Sequence, residues 1–503
     1  MARVAVIDLG SNSFRLVVFT AEDDWWKRTD EIYEAVRIGE GLGATGALGE
    51  PGMARAQATM EVFAHFCAAS GLTADEIDAV ATSAIRDASN SPEFLERAQE
   101  ASGLRVRVLS TDEEARYGYL AAVNSTTLGD GVMLDIGGGS MQLVHVIGRH
   151  ARELDSWPLG AVRVSERFLT GDGPAKPKEV RELVGYVKGN LERAHWLESS
   201  GARLVGIGGT VRNLAAAAQR DLRVPEAGVQ GYIITRKELD RLVRALARRS
   251  PADRAKFPGI KPSRGDIILG GAIVVQTVME VGGFETLEVT EAGLREGVFF
   301  ERYLGDPPRF DDVRRASVVN LAAQYGMDPE HSPHTAHVAQ LALGLFDELA
   351  AAGLHPGDAA ERELLWAACL LHDIGMTVDY DDHHKHSRYL ILNAGLPGFD
   401  QREVALIGQA VRYHRKGLPS LGPFAGLASD GDAELLDRMA TLLRLAEDLE
   451  RSRDQIVRAA HVAVADGTVR LDLQSDGDDR VPRWAAGREV ELFARAFGRE
   501  LSV

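Results

Sequence analysis

Two short stretches of this 503-residue chain combine a carboxylate, glycines and hydroxyls at one spacing. They are Asp8-Leu9-Gly10-Ser11-Asn12-Ser13 and Asp135-Ile136-Gly137-Gly138-Gly139-Ser140. Each follows an apolar run and leads into another, Phe14 to Val17 or Met141 to Val144, and the Asp and Ser positions of the two copies are displaced by the same 127 residues. An apolar run, a tight Gly-containing turn and a returning apolar run read as a strand hairpin, and a repeat in register points to a duplicated unit. The Asp carboxylate at the strand end suits a hard cation such as Mg²⁺. Consecutive backbone N–H groups beside the Ser hydroxyl make a nest for phosphate oxygens. A further turn of this kind, Gly206-Ile207-Gly208-Gly209-Thr210, ends another strand.

Two segments between the hairpins carry groups that such a site would use. In Ser110-Thr111-Asp112-Glu113-Glu114-Ala115-Arg116, the spacing Thr111-x-x-Glu114 reads as a capping box, with Glu114 holding free N–H groups at a helix start. In Ala81-Thr82-Ser83-Ala84-Ile85-Arg86, the Arg stands just past a strand, where it meets phosphate or forms a surface ion pair.

The elements that position these groups alternate between strand and helix. In the first half, strands are expected at 32–38, 77–82 and 104–109, and helices at 53–69, 91–101 and 112–122. In the second half, a strand at 203–207 runs into the Gly-rich turn, and 270–281 is helical. The result is two α/β lobes of similar plan, residues 1–124 and 125–306. After the break at Gly305-Asp306-Pro307-Pro308, apolar residues recur at three and four positions, so 307–455 is an all-α module. A hairpin across Asp466-Gly467 and a helix at 488–497 make 456–503 a small α/β appendage.

Composition sets the outer limits. With 45% hydrophobic and 26% charged residues the chain is neither disordered nor collagen-like. Its 57 Lys and Arg against 74 Asp and Glu give a net charge of −17, which opposes a general coat of nucleic acid or anionic membrane. Cys67 and Cys369 lie far apart in apolar helical stretches and read as buried thiols in a reducing compartment. The first residues lack the apolar core of a signal peptide, and the apolar run 364–371 is far short of the ~20 residues that span a bilayer. A cytoplasmic protein is expected.

Taken together, the motifs resemble the exopolyphosphatase and guanosine pentaphosphate phosphohydrolase (Ppx/GppA) family: Asp8 to Arg15, Ala81 to Arg86, Glu113-Glu114-Ala115-Arg116, Asp135 to Ser140, Gly208-Gly209-Thr210, Arg264-Gly265-Asp266 and Gly293 to Gly297 stand in the family's order. The resemblance implies an actin-like, ribonuclease-H-like duplicated fold with the active site between the lobes. It implies Glu114 as catalytic base, and Asp135 with Asp8 as ligands of Mg²⁺ or Mn²⁺. Phosphate contacts are implied for Ser11, Asn12, Ser13, Gly137, Gly138, Gly139, Ser140, Gly208, Gly209, Thr210 and Arg264, and charge neutralisation for Arg15 and Arg86. The expected activity is release of terminal orthophosphate from inorganic polyphosphate, with guanosine pentaphosphate (pppGpp, or its product ppGpp) as the alternative ligand. A nucleotide-binding switch or kinase of the actin-like group is an alternative of another class. A homodimer is implied. One departure is that Gln142 stands where the family usually has Glu, one negative charge fewer beside the cation.

In the helical module the order His337, His372-Asp373, Asp448 resembles the HD superfamily of metal-dependent phosphohydrolases, and this donor set suits a second, transition metal. The same module concentrates His383, His384, Lys385, His386, Arg388, Arg412, His414, Arg415 and Lys416. In the family such basic segments line a path for polyphosphate, and a multi-phosphate ligand gains from several cations in register.

Overall fold

The computed structural model describes residues 2–220 and 228–503, which fall into two compact units. The first unit, essentially 2–220 with 229–313, contains both hairpins. Its first sheet is built from β1 (Ala2–Leu9), β2 (Phe14–Ala21), β3 (Trp26–Glu34), β4 (Ile77–Ala81) and β5 (Val106–Val108), in the order β3-β2-β1-β4-β5. Its second is built from β6 (Gly131–Ile136), β7 (Met141–Ile147), β8 (His150–Trp157), β9 (Leu204–Ile207), β10 (Tyr232–Thr235) and β11 (Thr286–Val289), in the order β10-β11-β9-β6-β7-β8. In both, a hairpin pair carries the Asp-Gly-Ser turn and the leading strand then pairs in parallel with a later one. The register repeats as well: Asp8 lies opposite Arg15, and Asp135 opposite Gln142. Arg15 and Gln142 are thus equivalent positions of the two copies.

The central strands are buried on both faces, as near-continuous apolar runs require. On β1, Ile7 packs with Met53, Met60 and Phe63 of helix Glu50–Ala69. Val6, on the other face, joins a core with Met133 of β6, Ile207 of β9, Leu120 of helix Thr111–Val123 and Phe299 of helix Leu294–Leu304. That second core ties the two lobes together and places both turns at one end of the unit. The strand expected at 32–38 is instead β3, Trp26–Glu34, because its mostly exposed residues pair along β2, while Val36 and Ile38 insert into the core from the following segment.

In the second unit, helices Pro333–Ala351, Ala359–Leu371, His383–Ala394, Gln401–Arg412 and Asp432–Leu449 surround one core. The tail forms β12 (Val457–Ala465), β13 (Thr468–Ser475) and β14 (Glu500–Ser502) with helix Val490–Phe497, and Val457, Leu471 and Phe493 share that same core. Among the described residues no helix is long and apolar enough to cross a membrane. Cys67 and Cys369 are both free and buried.

Candidate active site

Both hairpins close with the same bond, Gly10 N–H donating to Ser13 O at 3.2 Å and Gly137 N–H to Ser140 O at 3.0 Å. The two turns and the Gly208–Gly209 turn line a single cavity of about 120 Å³. Their close approach depends on missing side chains. A Cβ on Gly139 would lie 2.5 Å from Ser83 Oγ and 2.9 Å from Ser11 Oγ. One on Gly208 would lie 2.8 Å from Asp135 Oδ1, and the φ of +89° there is itself glycine territory. Helix Gly208–Gln219 starts at this turn, so its free N–H groups open on the cavity.

Glu114 also lines the cavity. The expected capping box is shifted by one residue: Ser110 Oγ accepts from Glu113 N–H at 3.2 Å and Glu113 Oε2 accepts from Ser110 N–H at 2.8 Å. Capping is therefore done by Glu113. Glu114, about 100° further round the helix, turns inward and is buried. Arg86 Nη1 donates to its Oε2 at 2.7 Å and Ser140 Oγ to its Oε1 at 3.1 Å. Gln142 Nε2 donates to Ser140 Oγ at 2.9 Å, so Gln142, Ser140 and Glu114 form a directed chain of hydrogen bonds.

Charge in the cavity is dense and of both signs. Burial, then Glu114 and Asp8, pushes the Asp135 carboxyl up to about 7. Burial likewise raises Asp8 and Glu114, outweighing Arg295 in the one case and Arg86 in the other. Opposite them stand Arg15, Arg212, Arg264 and Arg295. Arg295 Nη1 donates to Asp8 Oδ2 at 3.1 Å, and Arg15 pairs with Glu31 at 2.8 Å. Burial, then Arg295 and Arg15, pulls Arg212 down to about 10. Two buried polar atoms of lining residues have no hydrogen-bond partner, Asn12 Nδ2 and Arg295 Nε, and Thr210 Oγ1 behind them has none either.

Of the expected residues, Asp8, Ser11, Asn12, Ser13, Arg15, Glu114, Asp135, Gly137, Gly138, Gly208, Gly209 and Arg264 line the cavity. Arg86, Gly139, Ser140 and Thr210 stand behind that lining, and Arg86 is engaged with Glu114 and with Leu109 O at 3.1 Å. Arg212, Arg295 and Ser83 line it too and were not expected. Arg212, two residues past Thr210 and one turn into the same helix, offers a local signal. Arg295 lies far along the chain, and only the packing of its helix against helix Thr111–Val123 brings it in.

A second cavity, of about 230 Å³, shares Ser11, Asn12 and Ile267 with the first. Val162 and Leu169 give it an apolar wall, and Glu40, Glu166 and Asp266 an acidic one. Arg37 pairs with Asp266 at 2.9 Å.

The helical unit differs from expectation in its details. His337 does not join His372 and Asp373; its Nε2 contacts Val457 O at 2.8 Å, and His334, one turn earlier, takes the place. Nor does Asp448, which lies towards Glu489, Arg451 and Arg444; Glu447, one residue earlier and thus on another face of the helix, is the carboxylate beside His334 at 3.0 Å and His372 at 3.4 Å. His383, His384 and His414 are buried, so they do not line a surface path; Lys385 and Lys416 of that set are exposed, and His386, Arg388, Arg412 and Arg415 half-buried.

Family models described as "Ppx/GppA phosphatase family" and "Ppx/GppA phosphatase, domain III" match residues 25–305 and 313–480. A Vibrio vulnificus protein named guanosine-5'-triphosphate,3'-diphosphate pyrophosphatase is 28% identical over 97% of this chain and 95% of its own length. One of the same name from Vibrio parahaemolyticus is 27% identical over the same shares. Among solved structures, the Aquifex aeolicus Ppx/GppA family member is similar with 29% identity and a TM-score of 0.52, covering 61% of this chain and 98% of that one. An exopolyphosphatase from Cytophaga hutchinsonii shares the fold, with 23% identity and a TM-score of 0.56 over 60% of this chain and 98% of its own.

Proposed function

Since this chain belongs to the Ppx/GppA phosphatase family, we propose that it hydrolyses a terminal phosphoanhydride and that guanosine pentaphosphate, more than inorganic polyphosphate, is its substrate. The observation that carries the chemistry is Glu114, buried at the cavity between Arg86 and Ser140 and facing unpartnered phosphate-type donors. Glu114 orients a water for in-line attack on the terminal phosphorus and takes its proton; its raised proton affinity brings it closer to the working pH of a general base. The backbone turns at Gly138 and Gly209, together with Asn12, hold the non-bridging oxygens. Arg15, Arg212, Arg264 and Arg295 offset charge on the transferring group. The P–O bond to the leaving phosphate breaks, and orthophosphate and the shortened substrate depart.

The donor set also suits a hard divalent cation. Asp8 and Asp135 are the residues that would hold Mg²⁺ or Mn²⁺, all-oxygen donors whose mutual repulsion such an ion relieves, and the chemistry it supplies is charge neutralisation at the phosphoryl oxygens.

Two features favour the nucleotide. The curated relatives that match along nearly the whole chain are named for it. The adjoining cavity, moreover, has an apolar wall for a ring and, beside the Arg37–Asp266 pair, the carboxylates Glu40 and Glu166; a guanine edge brings N–H donors to such acceptors, whereas polyphosphate has none. Burial of His383, His384 and His414 also removes part of the basic path that favoured polyphosphate. Orthophosphate release from both substrates by wild type and Glu114→Gln tests this. A folded Glu114→Gln protein with full activity refutes the chemistry, and a higher kcat/KM for polyphosphate refutes the substrate.

A further inference from the structure

Buried imidazoles meet at one carboxylate inside the helical unit. The ligand atoms of His334, His372 and Asp373 lie within 4.8 Å of one another, as do those of Asp373, His383 and His414. The two triads share Asp373. Its Oδ1 is 3.2 Å from His383 Nε2, 3.6 Å from His372 Nε2 and 4.0 Å from His414 Nε2, while its Oδ2 is 4.0 Å from His334 Nε2. Glu447 Oε2 adds a second carboxylate on the His334 side, at 3.0 Å.

In three of the four rings the far side identifies the near side. His372 Nδ1 is 2.6 Å from Cys369 O, His383 Nδ1 2.9 Å from Tyr380 O and His414 Nδ1 2.7 Å from Val411 O. A carbonyl only accepts, so each Nδ1 carries the proton, and in the neutral ring Nε2 presents its lone pair to the centre. His383 Nε2 and His414 Nε2 lie only 3.1 Å apart. The neutral rings of His372, His383 and His414 thus turn lone pairs towards the shared carboxylates. His372 Nε2, Asp373 Oδ1 and Glu447 Oε2 are all buried without a hydrogen-bond partner. Imidazoles locked by an Nδ1–H bond to a backbone carbonyl, with Nε2 directed at shared carboxylates, are how proteins orient histidine for a metal. Arg453 reaches Asp373 Oδ2 at 3.0 Å, but from an exposed position on the rim, and so can withdraw.

We propose that the helical unit holds two divalent first-row transition metals bridged by Asp373, one bound with His334, His372 and Glu447 and the other with His383 and His414. The mixture of imidazole nitrogen and carboxylate oxygen suits Mn²⁺, Fe²⁺ or Zn²⁺ and disfavours Mg²⁺, which prefers oxygen alone. This centre is independent of the phosphatase reading, since it shares no residue with the cavity of the first unit.

Full-length protein with Asp135→Asn, which disables the oxygen site, is stripped with chelator, reconstituted with Mn²⁺ or Zn²⁺, desalted and measured by elemental analysis. Two metals per chain are expected. Asp373→Ala reduces this to none and His383→Ala with His414→Ala to one, whereas His337→Ala keeps both because that ring faces Val457 O. Circular dichroism monitors folding; if Asp373→Ala does not fold, the His383, His414 double variant decides. One metal or none in the Asp135→Asn protein, or a double variant that still holds two, overturns the proposal.

Discussion

Gly160 offers a direct test of how the phosphate turn is positioned. It precedes helix Ala161–Phe168 with φ −65° and ψ 150°, a conformation open to any residue, so Gly160→Ala introduces no backbone strain. What it introduces is volume. Its Cβ would lie under 3.0 Å from Gly138 C, Gly138 O and Gly139 C, whereas ordinary contacts fall at 3.4–4 Å. Relief comes only by moving the turn on the order of 1 Å, because backbone atoms cannot rotate away as a side-chain tip would; a displacement of that size at a reacting centre costs about 100-fold in rate. Overpacking of this kind costs about 1–3 kcal/mol in stability. Gly185→Ala is the control: it is exposed in helix Pro177–Leu191 with nothing within 4 Å of its Cβ, and it should stabilise by about 0.5–1 kcal/mol without changing the rate. Orthophosphate release and thermal unfolding of both variants provide the assay. A Gly160→Ala protein whose kcat/KM stays within about threefold of wild type would refute the idea that the turn's backbone position governs activity.

Glu114→Gln lowers kcat about 10²–10⁴-fold yet leaves stability within about 1 kcal/mol, because the charge it removes was buried at a cost; kinetics and melting curves separate the two. In chelator, wild type loses stability as pH rises from about 4, the unfolded carboxyl value, through about 7, where folded Asp135 gives up its proton. Asp135→Asn flattens that slope, and denaturant titrations across pH would detect a failure to do so. Gln142→Glu adds a fourth carboxylate beside Asp135, so it lowers the Mg²⁺ concentration needed for half-maximal activity while reducing metal-free stability through the lost donation to Ser140. Glu166→Ala raises KM for guanosine pentaphosphate about tenfold, the size of one hydrogen bond to a charged group, and leaves polyphosphate hydrolysis unchanged; equal effects on both would sink the nucleotide pocket.

The duplicated hairpins were legible because their information is local. Asp, Gly and Ser recur at one offset, and strand pairing within a hairpin follows from the turn. Ambiguity arises where two neighbouring residues compete for one role. Glu113 and Glu114 both fit a capping pattern within one residue, and only the burial of the helix's inner face decides which carboxylate remains for chemistry. The same holds for Glu447 against Asp448 and for His334 against His337: adjacent or next-turn residues look interchangeable in a list, but a helix face admits one of them. The basic run at 383–416 illustrates a further limit. Composition assigns histidine to a charged surface or to an interior equally well, and the structure buries His383, His384 and His414.

By itself, the amino-acid sequence determined the two α/β copies, the helical region after them, the phosphate-type turns and the family likeness, all of them carried by contiguous residues whose spacing is set by strand and helix geometry. Tertiary structure alone decided that Arg212 and Arg295 face Asp8, Asp135 and Glu114, that an acidic-and-apolar cavity adjoins the one they line, and that Asp373 stands between two sets of imidazoles. Those are relations between residues up to nearly 290 positions apart, as in the Asp8–Arg295 pair. No local pattern encodes such a distance; it is set by which faces of which helices the apolar cores bury together.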